Sequence, residues 1–156
     1  MINRTTCQRE ILAAVNHLMQ LKESVKKGHD EEKLREYGLN GYSLSELHVI
    51  QCIGKAGLLN ITAISQTMQM TKGAISKICA KLLQRALVEK LKLVDNQKEI
   101  YFNLTPEGKQ IFSAHEKLHQ QVESNWLKIL ENYSDEEQRV IKRFIMDIAY
   151  AMERNQ

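Results

Sequence analysis

The sequence predicts a mostly α-helical protein with a small β wing, that is, a winged helix-turn-helix with additional helices at both ends. The apolar spacing predicts this fold, because it changes from helical to alternating and back to helical. Two alternating runs, 88–94 and 100–104, flank a polar tip at 95–99, which is typical of a β hairpin. Thr105 and Pro106 follow in the order of a helix cap and a first helical residue.

Two short helices are predicted before the hairpin. Asn60 is the expected cap of the first, over residues 61–68, and Thr71 is the expected cap of the second, over residues 72–83. Their apolar positions recur at helical spacing and are Ile61, Ile64 and Met68 in the first helix and Ile75, Ile78, Cys79, Leu82 and Leu83 in the second. A helix pair followed by a hairpin is the order of a winged helix-turn-helix.

The other face of the second helix is polar and basic, as expected of a helix that lies in the major groove of DNA. A basic face that is only solvated is the alternative, and the order of the helix pair and wing favours nucleic acid. The predicted DNA contacts are Lys72, Gly73, Ser76, Lys77 and Lys81 on the helix and Asn96, Gln97 and Lys98 at the wing tip.

Helices are also predicted on both sides of this region. We expect them at 7–26, 43–53, 106–131 and 135–152, with a charged and poorly patterned segment at 27–37. Ser43 with Glu46, and Ser134 with Glu137, have the spacing of capping boxes.

The terminal helices carry apolar stripes that a compact winged helix does not need for its own folding. A second copy of the chain is the simplest partner, since it would present two recognition helices to successive major grooves of a palindromic site. We therefore expect one domain over 1–156, with a DNA-binding part at 43–105 and dimerisation helices at 1–37 and 106–156. Closure of the terminal helices on one another within one subunit is the alternative.

Composition places the chain among ordinary globular proteins. Its 156 residues have a net charge of only +3, so DNA affinity would depend on where the lysines lie. No segment has the length of a membrane span, and the first residues do not resemble a secretory signal. Three widely spaced cysteines argue against a disulfide framework and predict a reducing, cytoplasmic location.

With its elements in this order, the chain resembles the MarR (multiple-antibiotic-resistance regulator) family of bacterial transcription factors. The resemblance covers nearly the whole chain, and its most specific part is the wing ending in Leu104-Thr105-Pro106-Glu107-Gly108. It implies an obligate dimer, with the terminal helices in the interface and the wings in minor grooves. A homodimeric repressor of transcription is the function we expect.

Two positions depart from the family pattern. Gln97 stands where an arginine of the wing is usual, so Lys98 would have to supply the charge. Ala86 stands where a helix-ending glycine is usual. Because a left-handed alanine costs about 1 kcal/mol, we expect the turn there to take another form.

A histidine pair suggests what the regulator senses. His115 and His119 are four residues apart on the long helix, which puts both imidazoles on one face, as a metal pair requires. Two hydrogen-bonded structural histidines are the alternative. The zinc-sensing branch of the MarR family is similar here, and the resemblance adds His48 and an acidic residue, Asp30 by spacing, with Glu31 or Glu32 as substitutes.

Other functions stay open at this point. Many MarR proteins bind aromatic compounds, for which Tyr37, Tyr42 and Trp126 are candidates, and others sense oxidants through a cysteine near the position of Cys7. His-Glu-Lys-Leu-His at 115–119 also fits the zinc-protease pattern, but a short chain with a dimerisation helix offers little cleft, so we expect no enzyme. A module that binds proteins is the last alternative.

Overall fold

The computed structural model describes the backbone of residues 4–25 and 29–154 and the side chains of residues 6–21 and 32–154. Its helices are α1 Arg4–Val25, α2 His29–Glu36, α3 Leu44–Ala56, α4 Ile61–Met68, α5 Lys72–Gln84, α6 Pro106–Leu130 and α7 Asp135–Glu153, and its strands are β1 Leu59–Asn60, β2 Val88–Leu93 and β3 Asn96–Leu104. The mostly helical fold with a small wing is thus confirmed. None of the described helices is long and apolar enough to cross a membrane.

The chain divides into two compact units, Met1–Glu116 and Lys117–Gln156. The first unit holds the core, which lies between α3, α4, α5 and a three-stranded antiparallel sheet in the order β1-β3-β2. The largest fully buried side chains in this core include Phe102, Ile50, Ile53, Ile64, Ile75 and Leu82. The predicted apolar faces of the two short helices are therefore the faces that pack.

The predicted caps form as expected. The Asn60 side chain accepts a hydrogen bond from the Ala63 amide at 2.8 Å, and Thr71 accepts one from the Ala74 amide at 3.2 Å. Both predicted capping boxes are present, at the starts of α3 and α7. These caps stabilise the first turns by giving otherwise unpaired amides an acceptor.

The secondary structure differs from the sequence predictions in three places. The charged segment predicted to lack a pattern contains α2, in which Leu34 is the buried apolar residue. Residues 59–60, the predicted helix cap and its neighbour, also pair with β3 as a two-residue strand. The predicted tip at 95–99 is shorter, because β3 begins at Asn96. None of these elements has enough apolar periodicity to be detected in the sequence.

Gly108 explains the glycine of the Leu-Thr-Pro-Glu-Gly motif. A Cβ atom at Gly108 would collide with the carbonyl oxygen of Leu87. The same oxygen accepts a hydrogen bond from the Thr105 amide at 3.1 Å, so the start of α6 lies directly against the chain that enters the wing. Only glycine allows this approach.

The turn after α5 is left-handed at Ala86, with φ of 54°, so the expectation that it takes another form is wrong. The Leu87 amide donates to the Leu82 carbonyl and the Ala86 amide donates to the Leu83 carbonyl, which is a Schellman motif. Two hydrogen bonds and the burial of Leu87 offset the strain on the alanine.

Replacing Ala86 with glycine should therefore stabilise the protein by up to about 1 kcal/mol, because glycine adopts this conformation without strain. Urea unfolding of both proteins measures the difference, with Ala80→Gly in the middle of α5 as a control that should destabilise. A less stable Ala86→Gly variant would show that the turn is not strained.

Candidate nucleic-acid interface and histidine cluster

The second helix of the helix-turn-helix presents a polar face to solvent. Ile75, Cys79 and Leu82 are buried on one side of α5. The predicted DNA contacts on the other side are all exposed, namely Lys72, Gly73, Ser76, Lys77 and Lys81. The structure thus brings the residues predicted from spacing onto one accessible face, and α5 itself carries no acidic residue.

Lys81 differs from the other lysines of this face. Its Nζ lies 3.9 Å from the Glu46 carboxylate of α3, although its side chain is 69% exposed. Nearby, Arg85 donates a hydrogen bond to the Gly41 carbonyl at 2.9 Å and lies 3.7 Å from the centre of the Tyr42 ring. These contacts hold the C-terminal end of α5 against the chain that leads into α3, and the sequence alone did not reveal them.

The wing tip is organised by its own polar side chains. Asn96 accepts hydrogen bonds from the amides of Lys98 and Glu99, and Gln97 donates one to the Leu93 carbonyl at 2.8 Å. Lys98 is exposed at the tip. Gln97 is thus hydrogen-bonded to the wing itself. Of the three predicted tip residues, Lys98 carries the positive charge.

Glu99 forms a polar centre in the wing that the sequence did not predict. One of its carboxylate oxygens lies 2.8 Å from the Tyr101 hydroxyl, 3.0 Å from the Asn96 amide nitrogen and 3.1 Å from that of Asn60. The hydrogen bond from Tyr101, followed by that from Asn60, lowers the pKa of Glu99 below its usual value. The group is therefore ionised at neutral pH.

The structure brings three predicted histidines together. His48 lies on α3 and His115 on α6, with 5.7 Å between their ring centres. His119 follows one turn later on the same uninterrupted helix. The ligand atoms of the three imidazoles all lie within 4.8 Å of one another, and His115 is only 2% exposed.

The acidic member predicted for this cluster is not located. Asp30 and Glu31 lie in the first turn of α2, but their side chains fall outside the described residues. Glu32 is described and exposed, and it does not belong to the cluster. Among the described side chains, the set of donors therefore consists of three imidazoles.

Glu116, the glutamate of the zinc-protease pattern, lies in a structural contact. Its Oε1 accepts a hydrogen bond from the Gln51 side chain at 2.6 Å and lies 3.7 Å from Lys55 Nζ. Both partners are on α3, so Glu116 holds α3 to the first part of α6, beside His115. This contact accounts for Glu116 as a residue that joins two helices.

The three cysteines are free thiols. Cys7 is exposed, Cys52 is half-buried and Cys79 is buried. Burial raises the pKa of the Cys79 thiol to about 11, so it stays protonated and unreactive in the core. This agrees with the predicted position of Cys79 on the apolar face of the second helix.

The matches with known proteins decide the family. The MarR family model matches residues 42–100, the part of the chain that forms the helix pair and most of the wing. The HTH-type transcriptional regulator YhjH of Bacillus subtilis is 33% identical over 144 residues, which cover 89% of this chain and 82% of that protein. The chain belongs to the MarR family. It is a DNA-binding transcriptional regulator and not an enzyme.

Solved MarR structures have the same fold. FabT of Streptococcus pneumoniae, solved in complex with DNA, superposes with a TM-score of 0.76 at 21% identity, covering 94% of this chain and 99% of FabT. ZitR of Lactococcus lactis, described as a zinc-responsive MarR family member, gives a TM-score of 0.73 at 18% identity, covering 94% of this chain and 99% of ZitR. At these identities the likeness establishes the fold of the MarR regulator.

Proposed function

We propose that this MarR regulator is a cytoplasmic homodimeric repressor, which binds a palindromic operator and responds to zinc through His48, His115 and His119. The convergence of three imidazoles from α3 and α6 carries the zinc assignment. The exposed basic face of α5 supports the assignment of the DNA interface. The terminal helices supply the dimer interface.

The DNA interface consists of the α5 face and the wing tip. Lys72 and Lys77 have accessible ammonium groups without an acidic residue on their own helix, so they can neutralise phosphates. Gly73 and Ser76 at the start of α5 are small, which lets the helix approach base edges. Lys81 has a second role in pairing with Glu46.

The first test concerns Lys77. Lys77→Ala should weaken operator binding without unfolding the protein, because an exposed lysine that contacts phosphate contributes counterion release and no core packing. Titration of DNA at several salt concentrations should show a salt slope that is smaller by about one. Lys128→Ala, an exposed change on α6, should leave the slope as it is. An unchanged slope for Lys77→Ala would place the DNA-binding face elsewhere.

Exposed apolar side chains in the second unit support the proposed dimer. On α7, Val140, Phe144, Ile145 and Tyr150 are each more than two-fifths exposed. An open apolar cleft between the end of α6 and α7 is lined by Leu130, Ile141, Ile145 and Met146, among others. An amphipathic helix with this much exposed apolar surface requires a partner, and a two-fold copy buries the same face on both chains.

The histidine cluster fits zinc chemically. Tetrahedral zinc has bonds of about 2.0–2.1 Å to nitrogen, so its donor atoms must lie only a few ångströms apart. Small rotations of the two exposed imidazoles would bring all three nitrogens within bonding distance of one zinc ion. Three imidazoles leave a fourth position, for which Asp30 is our proposed donor. Bound zinc would tie α3 to α6, where Gln51 and Glu116 already join them.

The effect of zinc on DNA binding follows from linkage. A ligand changes DNA affinity only if it favours one arrangement of the protein over another. Zinc bridging α3 and α6 would fix the position of α3, and α3 contacts α5 through Glu46 and Lys81. We propose that the fixed arrangement is the one that binds the operator, as in a repressor that acts when zinc is sufficient.

A further inference from the structure

The wing is joined to the helix-turn-helix by side chains as well as by its sheet. Asn60 has two roles, since its Oδ1 accepts from the Ala63 amide while its Nδ2 donates to Glu99. Glu99 in turn accepts from Asn96 at the tip and from Tyr101 on β3. One carboxylate oxygen thus connects the wing tip, the wing strand and the first turn of α4.

We propose that Glu99 is a positioning residue, which fixes the wing on the helix-turn-helix and thereby raises operator affinity. The proposal rests on the DNA interface assigned above. Apart from this contact, the wing is tied to the start of α4 by β1, a strand of only two residues. A wing that is already ordered loses less conformational entropy on binding DNA.

Because Glu99 is negatively charged, the effect of its removal on DNA binding distinguishes a positioning role from none. A carboxylate beside a DNA-binding surface repels phosphates, and Glu99 also lies close enough to Lys72 to interact with its charge. A glutamate without a positioning role would therefore weaken DNA binding, and its removal would strengthen binding. The positioning role predicts the opposite sign.

Glu99→Ala should lower operator affinity about three- to tenfold, as expected for loss of hydrogen bonds to a charged group at an exposed site. The matched control is Glu89→Ala, which removes the same charge from β2 and a single hydrogen bond from Asn103. This control should bind DNA as tightly as the parent or more tightly. Equal or tighter binding by Glu99→Ala would overturn the proposal.

Exchanging the donor and acceptor groups of Asn60 and Glu99 tests their contact directly. Asn60→Asp keeps the cap of α4, because aspartate caps as well as asparagine, but it places two carboxylates side by side. Affinity should fall at least as far as in Glu99→Ala. Adding Glu99→Gln restores a donor–acceptor pair and the original net charge, so the double variant should recover to within about twofold of the parent. No recovery would overturn the contact.

Amide hydrogen exchange measures the wing without DNA. Glu99→Ala and Asn60→Asp should speed exchange in a peptide that covers residues 94–101, while the α5 peptide is unchanged. Unchanged exchange in the wing would refute the proposal that Glu99 fixes the wing. This outcome does not depend on the result for Lys77→Ala, so it also holds if the DNA-binding face lies elsewhere. Faster exchange with undiminished operator affinity would refute the role of Glu99 in DNA binding.

Discussion

Replacing His48 and His119 together with alanine should abolish the zinc response of operator binding. Both side chains are exposed, so their loss leaves the core intact, whereas His115 is buried and its replacement would open a cavity. Removal of two of three imidazole donors should lower zinc affinity by more than about 100-fold, since changes even to supporting residues cost 10- to 100-fold. DNA binding by the zinc-free variant should equal that of the zinc-free parent.

The measurement combines zinc titration by calorimetry with operator binding in the presence of zinc or a chelator. His17→Ala, which removes an exposed histidine from α1, is the control and should keep the response. Zinc affinity of the parent should also fall with decreasing pH, because protons compete with the metal for the imidazoles. If the double variant retains the zinc affinity and response of the parent, the histidines have a structural role and the regulator senses another effector.

Features set by nearby residues could be predicted from the sequence. The cap by Asn60 and the box of Ser43 with Glu46 each join residues three positions apart, so the pattern contains both partners. The prediction for the turn at Ala86 was wrong because this turn depends on residues beyond its own local sequence. Its left-handed conformation is stabilised by burial of Leu87 against the core, which a local propensity does not include.

Contacts between residues that are distant in the sequence could be predicted only in part. The spacing of His115 and His119 predicted a pair on one helix face, but the addition of His48 required a family resemblance. Asn60 and Glu99 are 39 positions apart, and nothing in either segment pointed to the other. Their contact follows from the pairing of β1 with β3, and a two-residue strand leaves no periodic pattern.

Disruption of the dimer should have the other large effect on operator binding. Phe144→Glu should convert the protein to a monomer, because it places a charge in the middle of the exposed apolar stripe of α7. Such a charge is costly when it is buried against a second copy and costs little in the monomer, where Phe144 is 42% exposed. Helix content by circular dichroism should therefore stay close to that of the parent.

Loss of the dimer should lower affinity for the full palindromic operator by about 100- to 10,000-fold, since two linked half-site contacts become single ones. Arg143→Gln changes the net charge by the same one unit on the same helix. Arg143 is exposed and does not line the apolar cleft, so this control should leave both mass and affinity as in the parent. Sedimentation equilibrium at micromolar concentration measures the mass. A monomeric parent would refute the dimer, and a dimeric Phe144→Glu variant would place the interface on another surface, most directly on the exposed apolar positions of α1.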